Sequence, residues 1–196
     1  MCGIIGIASS KPVSMNIINS LKRLEYRGYD SAGLATLVNN EINEKKCSGR
    51  VEELEKILFK RPSDGNIGIG HVRWATHGVP NVINAHPHSS ENVSVVHNGI
   101  IENSDEIKKD LESKGLKFKS QTDTEVITLL ITEALKGDEP LKSVFKTLKK
   151  LKGSFALGII FKNHKNIIIG ARRGSPLAVG YSTEENYLGS DSYALK

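Results

Sequence analysis

Cys2 stands one residue from the start of the 196-residue chain, ahead of the apolar run Gly3-Ile4-Ile5-Gly6. A small side chain at position 2 permits removal of Met1, and the chain would then begin with a thiol and an α-amine on one residue. Thiols titrate near pH 8.5 and α-amines at about 7.7–8.0, so near neutrality part of the amine is free to take the thiol proton. Such a terminus is a nucleophile that carries its own base. The competing reading is a small buried hydrophobe at the head of a strand.

Three further segments bear on that choice. Arg73-Trp74-Ala75-Thr76-His77-Gly78 begins where a strand gives way to a long polar loop. There an arginine fork fits a carboxylate, and Thr76 and His77 add donors. In His97-Asn98-Gly99, a side-chain amide next to a glycine N–H can make a two-donor oxyanion hole, although Asn-Gly is also a common turn. Thr122-Asp123-Thr124 is first a helix start, yet its carboxylate could bind an ammonium group.

Other patterns are set aside. His71, His77, His86, His88 and His97 raise a metal site, but no HExxH or carboxylate-bearing ligand spacing accompanies them, and no metal is expected. Gly68-Ile69-Gly70 lacks the rest of a dinucleotide fingerprint, and no cofactor is expected.

The surrounding elements follow from periodicity. Strands are expected over Gly3–Ala8, Leu34–Val38, Glu41–Cys47, Ile67–Trp74, Val93–His97, Ser154–Phe161 and Asn166–Ala171, with shorter ones at Leu177–Gly180 and Tyr187–Gly189. Ser14 can cap a helix whose apolar positions Ile17, Ile18, Leu21 and Leu24 recur at helical spacing, and Val51–Lys60 reads as a second helix. Asn103 with Glu106, and Thr122 with Glu125, have capping-box spacing, while Pro140 suits the first turn of a last helix closed by Gly153. Residues 75–91 form a long loop with three histidines, and Asn39-Asn40 reads as a hairpin turn. Strands, then helices, then strands imply stacked layers with antiparallel pairing rather than a Rossmann alternation.

Composition narrows the classes. The 38% hydrophobic and 25% charged content suits a globular domain with a sizeable core. The net charge of +5 comes from lysines spread over helices such as 141–152 without interleaved aromatics, so a nucleic-acid partner is not expected. No apolar run reaches the roughly 20 residues of a membrane span, and no basic region precedes the first apolar run as in a secretory signal. Two cysteines without a paired framework point to a reduced, cytoplasmic setting.

Read in order, Cys2-Gly3-Ile4-Ile5-Gly6, Arg27-Gly28-Tyr29-Asp30-Ser31-Ala32-Gly33, His71 through Gly78, Ala85-His86-Pro87-His88, His97-Asn98-Gly99 and Thr122-Asp123-Thr124-Glu125 make the chain resemble the class II glutamine amidotransferases, which are N-terminal-nucleophile hydrolases. The resemblance covers essentially the whole chain. It is nearer to the glutaminase domains that feed ammonia to fructose 6-phosphate than to amidophosphoribosyltransferase, which typically has Gln at the place of Tyr29 and a Tyr-Ser-Thr-like run at Trp74-Ala75-Thr76. A catalytically silent, glutamine-binding piece is the remaining alternative.

The resemblance implies an α+β fold, a four-layer αββα sandwich of two mostly antiparallel sheets between helical layers. It also implies roles: Cys2 as nucleophile, Asn98 and the Gly99 N–H as oxyanion hole, and Arg27 beside the terminal amine. Arg73, Thr76 and His77 would hold the α-carboxylate of L-glutamine, and Asp123 with the Gly99 carbonyl its α-ammonium. His86 would order the loop around the site, and Trp74 would lie toward the ammonia exit. Family members continue past the equivalent of Ser190–Leu195, so residues 1–196 are expected to be one glutaminase domain cut short. The sugar-phosphate isomerase region would be absent here, and homo-oligomers are expected only of the full-length enzyme.

Overall fold

The computed structural model describes residues 2–75 and 78–195. In chain order the elements are β1 (Gly3–Ser9), α1 (Ser14–Leu24), β2 (Ser31–Val38), β3 (Glu41–Ser48), α2 (Val51–Lys60), β4 (Ile67–Arg73), β5 (His88–Ser89), β6 (Val93–Ile101), α3 (Ser104–Ser113), α4 (Thr124–Ala134), α5 (Pro140–Lys150), β7 (Gly153–Phe161), β8 (Ile169–Arg173), β9 (Ala178–Tyr181) and β10 (Glu185–Gly189). Short 3₁₀ turns follow α1 and β10. The strands form a six-stranded sheet, β3-β2-β4-β1-β10-β9, and a four-stranded sheet, β5-β6-β7-β8, with antiparallel pairing throughout.

Alternation along the strands builds the layers, because successive side chains of a strand point to opposite faces. In the larger sheet Ile5, Ile7, Leu34 and Val72 pack with Ile17, Ile18, Leu21 of α1 and Val51, Leu54 of α2. Their neighbours Ile4, Ala35, Leu37, Ile67 and Ile69 face inward and meet Val96, Ala156 and Ile160 of the smaller sheet. The outer face of that sheet, Val93, Val95, Phe155, Leu157 and Ile159, packs under α3, α4 and α5. The result is the expected αββα sandwich. On α5 the lysines at 142, 146, 149 and 150 are exposed, a solvated helix face. Among the described residues no helix is long and apolar enough to cross a membrane.

Glycines on β4 set the spacing of α1. A Cβ at Gly70 would stand 2.5 Å from Ile17 Cγ2, and one at Gly68 2.8 Å from Ile17 Cδ1. The bare backbone therefore lets the helix sit close. Gly70→Ala is expected to destabilise the chain by about 1–3 kcal/mol through overpacking, read as a lower urea midpoint with an unchanged slope. A midpoint equal to that of the parent chain would show that α1 is not seated on this strand.

Several local expectations are corrected. Ser14 makes no side-chain cap; its hydroxyl donates to the Ser63 carbonyl. Asn103 forms no capping box, and instead its amide holds Lys150 O and Lys152 N at 2.9 Å each, tying α3 to the end of α5. Glu125 likewise does not reach back to Thr122; it accepts from the Lys119 and Ser120 N–H groups at 2.8 and 2.6 Å. Tertiary partners won over local caps in all three cases. β2 begins at Ser31, ahead of the expected Leu34, and the long loop contains β5.

Candidate active site

The strand order brings the chemistry to one end of the larger sheet. β1 lies between β4 and β10, and antiparallel pairing sets Gly3 opposite Val72 and Ile5 opposite Gly189. Cys2, at the head of β1, therefore sits beside Arg73 and Trp74 at the tail of β4, and beside Ser190 and Asp191 past the tail of β10. Ser31 at the head of β2 is opposite Arg73, which places the Arg27–Asp30 segment at the same end.

The Cys2 thiol makes weak contacts with the backbone of Trp74, accepting from its N–H at 3.3 Å and donating to its carbonyl at 3.5 Å. Burial pushes the thiol above its usual pKa, and the Trp74 N–H and the charge of Arg73 offset this only in part. At neutral pH it is a thiol that needs a base. The other cysteine, Cys47, is buried in the α2-side core, and burial lifts its pKa to about 11. Both are free.

The Cys2 carbonyl is held from two sides. Asn98 Nδ2 donates to it at 2.8 Å and Arg27 Nε at 2.9 Å. Arg27 is itself fixed by Asp191 at 3.1 Å, and Tyr26 O–H donates to that carboxylate at 2.6 Å. Burial works against the charge of Asp191, but the Tyr26 and backbone N–H bonds together with Arg27 hold its carboxyl below the usual range. Arg27 thus acts on the backbone of Cys2.

Asn98 and Gly99 lie inside β6, not at a strand end or in a turn. Gly99 has φ 134° and a Cβ there would stand 2.0 Å from the Ser154 carbonyl oxygen, so only glycine fits. One small cavity of about 20 Å³ is lined by Cys2, Arg73, Trp74, His86, His97, Gly99 and residues 122–124, room for about one water. Arg73 is 3% exposed and donates to the Gly78 carbonyl at 3.3 Å. Trp74 is half exposed, edge-on to Tyr29 at 6.0 Å. Asp123 Oδ2 accepts from the Ile101 N–H at 2.8 Å, and Oδ1 lies 3.8 Å from His97 Nδ1. Thr76 and His77 lie outside the described residues.

Four histidines pack behind this cavity. His86 stacks on His71 at 4.2 Å and meets His88 edge-on at 4.8 Å. Thr124 Oγ1 bonds His86 Nε2 at 2.7 Å and His97 Nδ1 at 3.0 Å, and Thr122 Oγ1 bonds His88 Nε2 at 2.9 Å. Burial drives the pKa of His71 and of His88 down to about 3, and that of His86 well below its usual value. His86 is thus a packed ring of this wall. No group of three or more His, Cys, Asp or Glu among the described residues is arranged to hold a metal ion.

Sequence reasoning missed Asp30, His71, His97, Thr124, Ser190 and Asp191 as parts of the site. Asp30 holds the Ala75 N–H and the Ser31 hydroxyl, tying the Arg27–Gly33 segment to the tail of β4. All but Ser190 and Asp191 lay within the motifs already singled out, which was the available signal.

The chain is similar to proteins already known. The family described as "Glutamine amidotransferase domain" matches residues 71–196. The glutamine–fructose-6-phosphate aminotransferases (isomerizing) of Bradyrhizobium diazoefficiens and Mesorhizobium japonicum are 52% and 53% identical over the whole chain, which spans 32% of each. Among solved structures, the glutamine phosphoribosylpyrophosphate amidotransferase from B. subtilis superposes with a TM-score of 0.87 at 27% identity, over 99% of this chain and 43% of that one. A glutamine aminotransferase class-II domain protein from Silicibacter pomeroyi shares the fold, with a TM-score of 0.63 at 13% identity over 96% of this chain and 88% of that one. With the Cys2 thiol and the Asp123 carboxylate on one cavity, the Asn98 amide on the Cys2 carbonyl, and a family match over most of its length, the chain belongs to the glutamine amidotransferase domain family.

Proposed function

We propose that this chain is a glutamine-hydrolysing domain that releases ammonia for transfer to fructose 6-phosphate, in a cytoplasmic transferase of amino sugar synthesis. The observation that carries the reading is the convergence of the Cys2 thiol, Arg73, Gly99 and Asp123 on one cavity, with the Asn98 amide on the Cys2 carbonyl. The acceptor, the sugar-phosphate isomerase region and assembly into oligomers rest on the names of the relatives, of which this chain spans 32%. Identity of 52% to the fructose-6-phosphate enzyme against 27% to the phosphoribosylpyrophosphate enzyme supports that acceptor.

In this mechanism Met1 is removed and the Cys2 amine, directly or through a water, takes the thiol proton. Sulfur attacks the side-chain carbonyl carbon of glutamine, and the Asn98 amide and Gly99 N–H hold the oxyanion. The C–N bond breaks as the ammonium of Cys2 returns its proton to the departing nitrogen, and ammonia leaves past Trp74. Water then cleaves the γ-glutamyl thioester, giving glutamate and restoring the thiol. Arg73, Thr76 and His77 bind the α-carboxylate, Asp123 and the Gly99 carbonyl the α-ammonium; His86 orders the surrounding loop and Arg27 positions the terminal residue.

Treatment with a diazo-ketone glutamine analogue and intact-mass analysis tests this reading. A chain without Met1 that carries one adduct, on Cys2, and releases glutamate from glutamine is expected; an adduct on Cys47, or none, would overturn it. Asn98→Ala is expected to lower kcat by roughly 10²- to 10³-fold with a smaller change in KM, the loss of one oxyanion donor. Equal kcat in variant and parent would remove Asn98 from the mechanism.

A further inference from the structure

His71 has no part in the mechanism above, yet it is fully buried on the inner face of β4 and its ring contacts the residue that would hold the oxyanion. Its Nε2 lies 3.0 Å from the His97 carbonyl oxygen and 3.1 Å from Asn98 Oδ1. A carbonyl oxygen only accepts, so Nε2 carries the hydrogen. His71 Nδ1 is buried without a hydrogen-bond partner among the described residues, as suits the bare nitrogen of a neutral ring stacked under His86.

That N–H fixes the oxygen end of the Asn98 amide, as the Cys2 carbonyl fixes its nitrogen end. A donor on the His71 side draws Oδ1 toward it and turns Nδ2 to the other side, where it reaches the Cys2 carbonyl at 2.8 Å and Ser190 Oγ at 2.9 Å. Ser190 Oγ also accepts from the Ile4 N–H at 2.7 Å, so it is anchored on β1. A reversed amide would set N–H against N–H at His71 and oxygen against oxygen at Cys2. It would also present an oxygen where negative charge develops.

We propose that His71 is a positioning residue for glutamine hydrolysis: its Nε2–H locks the Asn98 amide in the orientation that offers Nδ2 to the oxyanion. The inference rests on the reading of Asn98 as an oxyanion donor. It adds that the orientation of the amide is set before substrate arrives, and that one of the two N–H groups now on the Cys2 carbonyl and Ser190 Oγ turns to the oxyanion when it forms.

A double-mutant cycle on glutamate release by the intact polypeptide tests it. His71→Leu is expected to lower kcat by about 10- to 100-fold with KM within about threefold, the scale seen when the partner that orients a functional group is lost. His71→Gln, which keeps an N–H donor, is expected to recover most of that loss. In the Asn98→Ala background His71→Leu is expected to cost less than about twofold more, because no amide remains to be aimed. An equal loss in both backgrounds, or a change confined to KM, would overturn the proposal. Should His71→Leu fail to fold, the ring tautomer of the parent chain decides: long-range proton–nitrogen spectra showing hydrogen on Nε2 support it, and hydrogen on Nδ1 alone overturns it. Failure of the glutaminase reading itself would appear separately, as a parent chain that neither releases glutamate nor takes the Cys2 adduct.

Discussion

Cys2→Ala is expected to reduce glutamate release by a factor on the order of 10⁴ or more, as removal of a covalent nucleophile does elsewhere. The residual rate would reflect only the binding groups and the oxyanion donors. Folding should be nearly untouched. Cys2 precedes β1, is only partly buried, and its sulfur makes only weak bonds, with the Trp74 N–H at 3.3 Å and the Trp74 carbonyl at 3.5 Å. The two strong bonds at this residue go to its carbonyl, which alanine retains. Calorimetry should therefore find glutamine bound with an affinity within a few-fold of the parent chain, while turnover is lost. Residual activity above about one per cent would mean that another group attacks the substrate, and the mechanism would fall.

Mild acid is expected to have a comparably large effect, on stability rather than on turnover. His71 and His88 have folded-state pKa values of about 3, because burial disfavours their charged forms, whereas unfolded histidine titrates near 6.5. Between those values the unfolded chain binds more protons than the folded one, so unfolding free energy falls as pH drops below about 6.5. From pH 7 to 5.5 each of these two rings withdraws about 1 kcal/mol, a sum of about 2–3 kcal/mol. His86 acts in the same direction, its pKa lowered by burial and by the neighbouring rings. Most carboxylates remain ionised over this range, which isolates the histidine contribution. Urea midpoints measured at pH 7 and 5.5 should show a clear drop. An unchanged midpoint would mean that the rings are hydrated or charged in the folded state.

The layers were legible in the sequence because they depend on side-chain alternation, a local property. The bounds of α2 and the Asn39-Asn40 hairpin, with φ of 51° and 69°, are where the residue types put them. The helix caps were not legible, since Asn103 and Glu125 found partners elsewhere in the fold. In the site, Cys2, Arg73, Asn98, Gly99 and Asp123 were readable from residue type and motif. Ser190 and His71 were not. Ser190 meets Ile4, 186 residues away, because β10 flanks β1, and His71 meets Asn98 because β4 packs against β6 of the other sheet. A serine past a short strand and a histidine between apolar residues give no sign of that pairing.

β4 carries two alternating sets of residues with unrelated duties. Gly68 and Gly70 admit α1 on one side, while on the other Arg73 lines the cavity and His71 bonds Asn98. A slip of one residue in its pairing would turn histidine and arginine toward the helix and glycines toward the cavity. A misaligned strand would thus lose its seat under the helix and its chemistry together. Register, core closure and the geometry of the candidate site are a single condition: a chain with the wrong register is also a chain that cannot close its core.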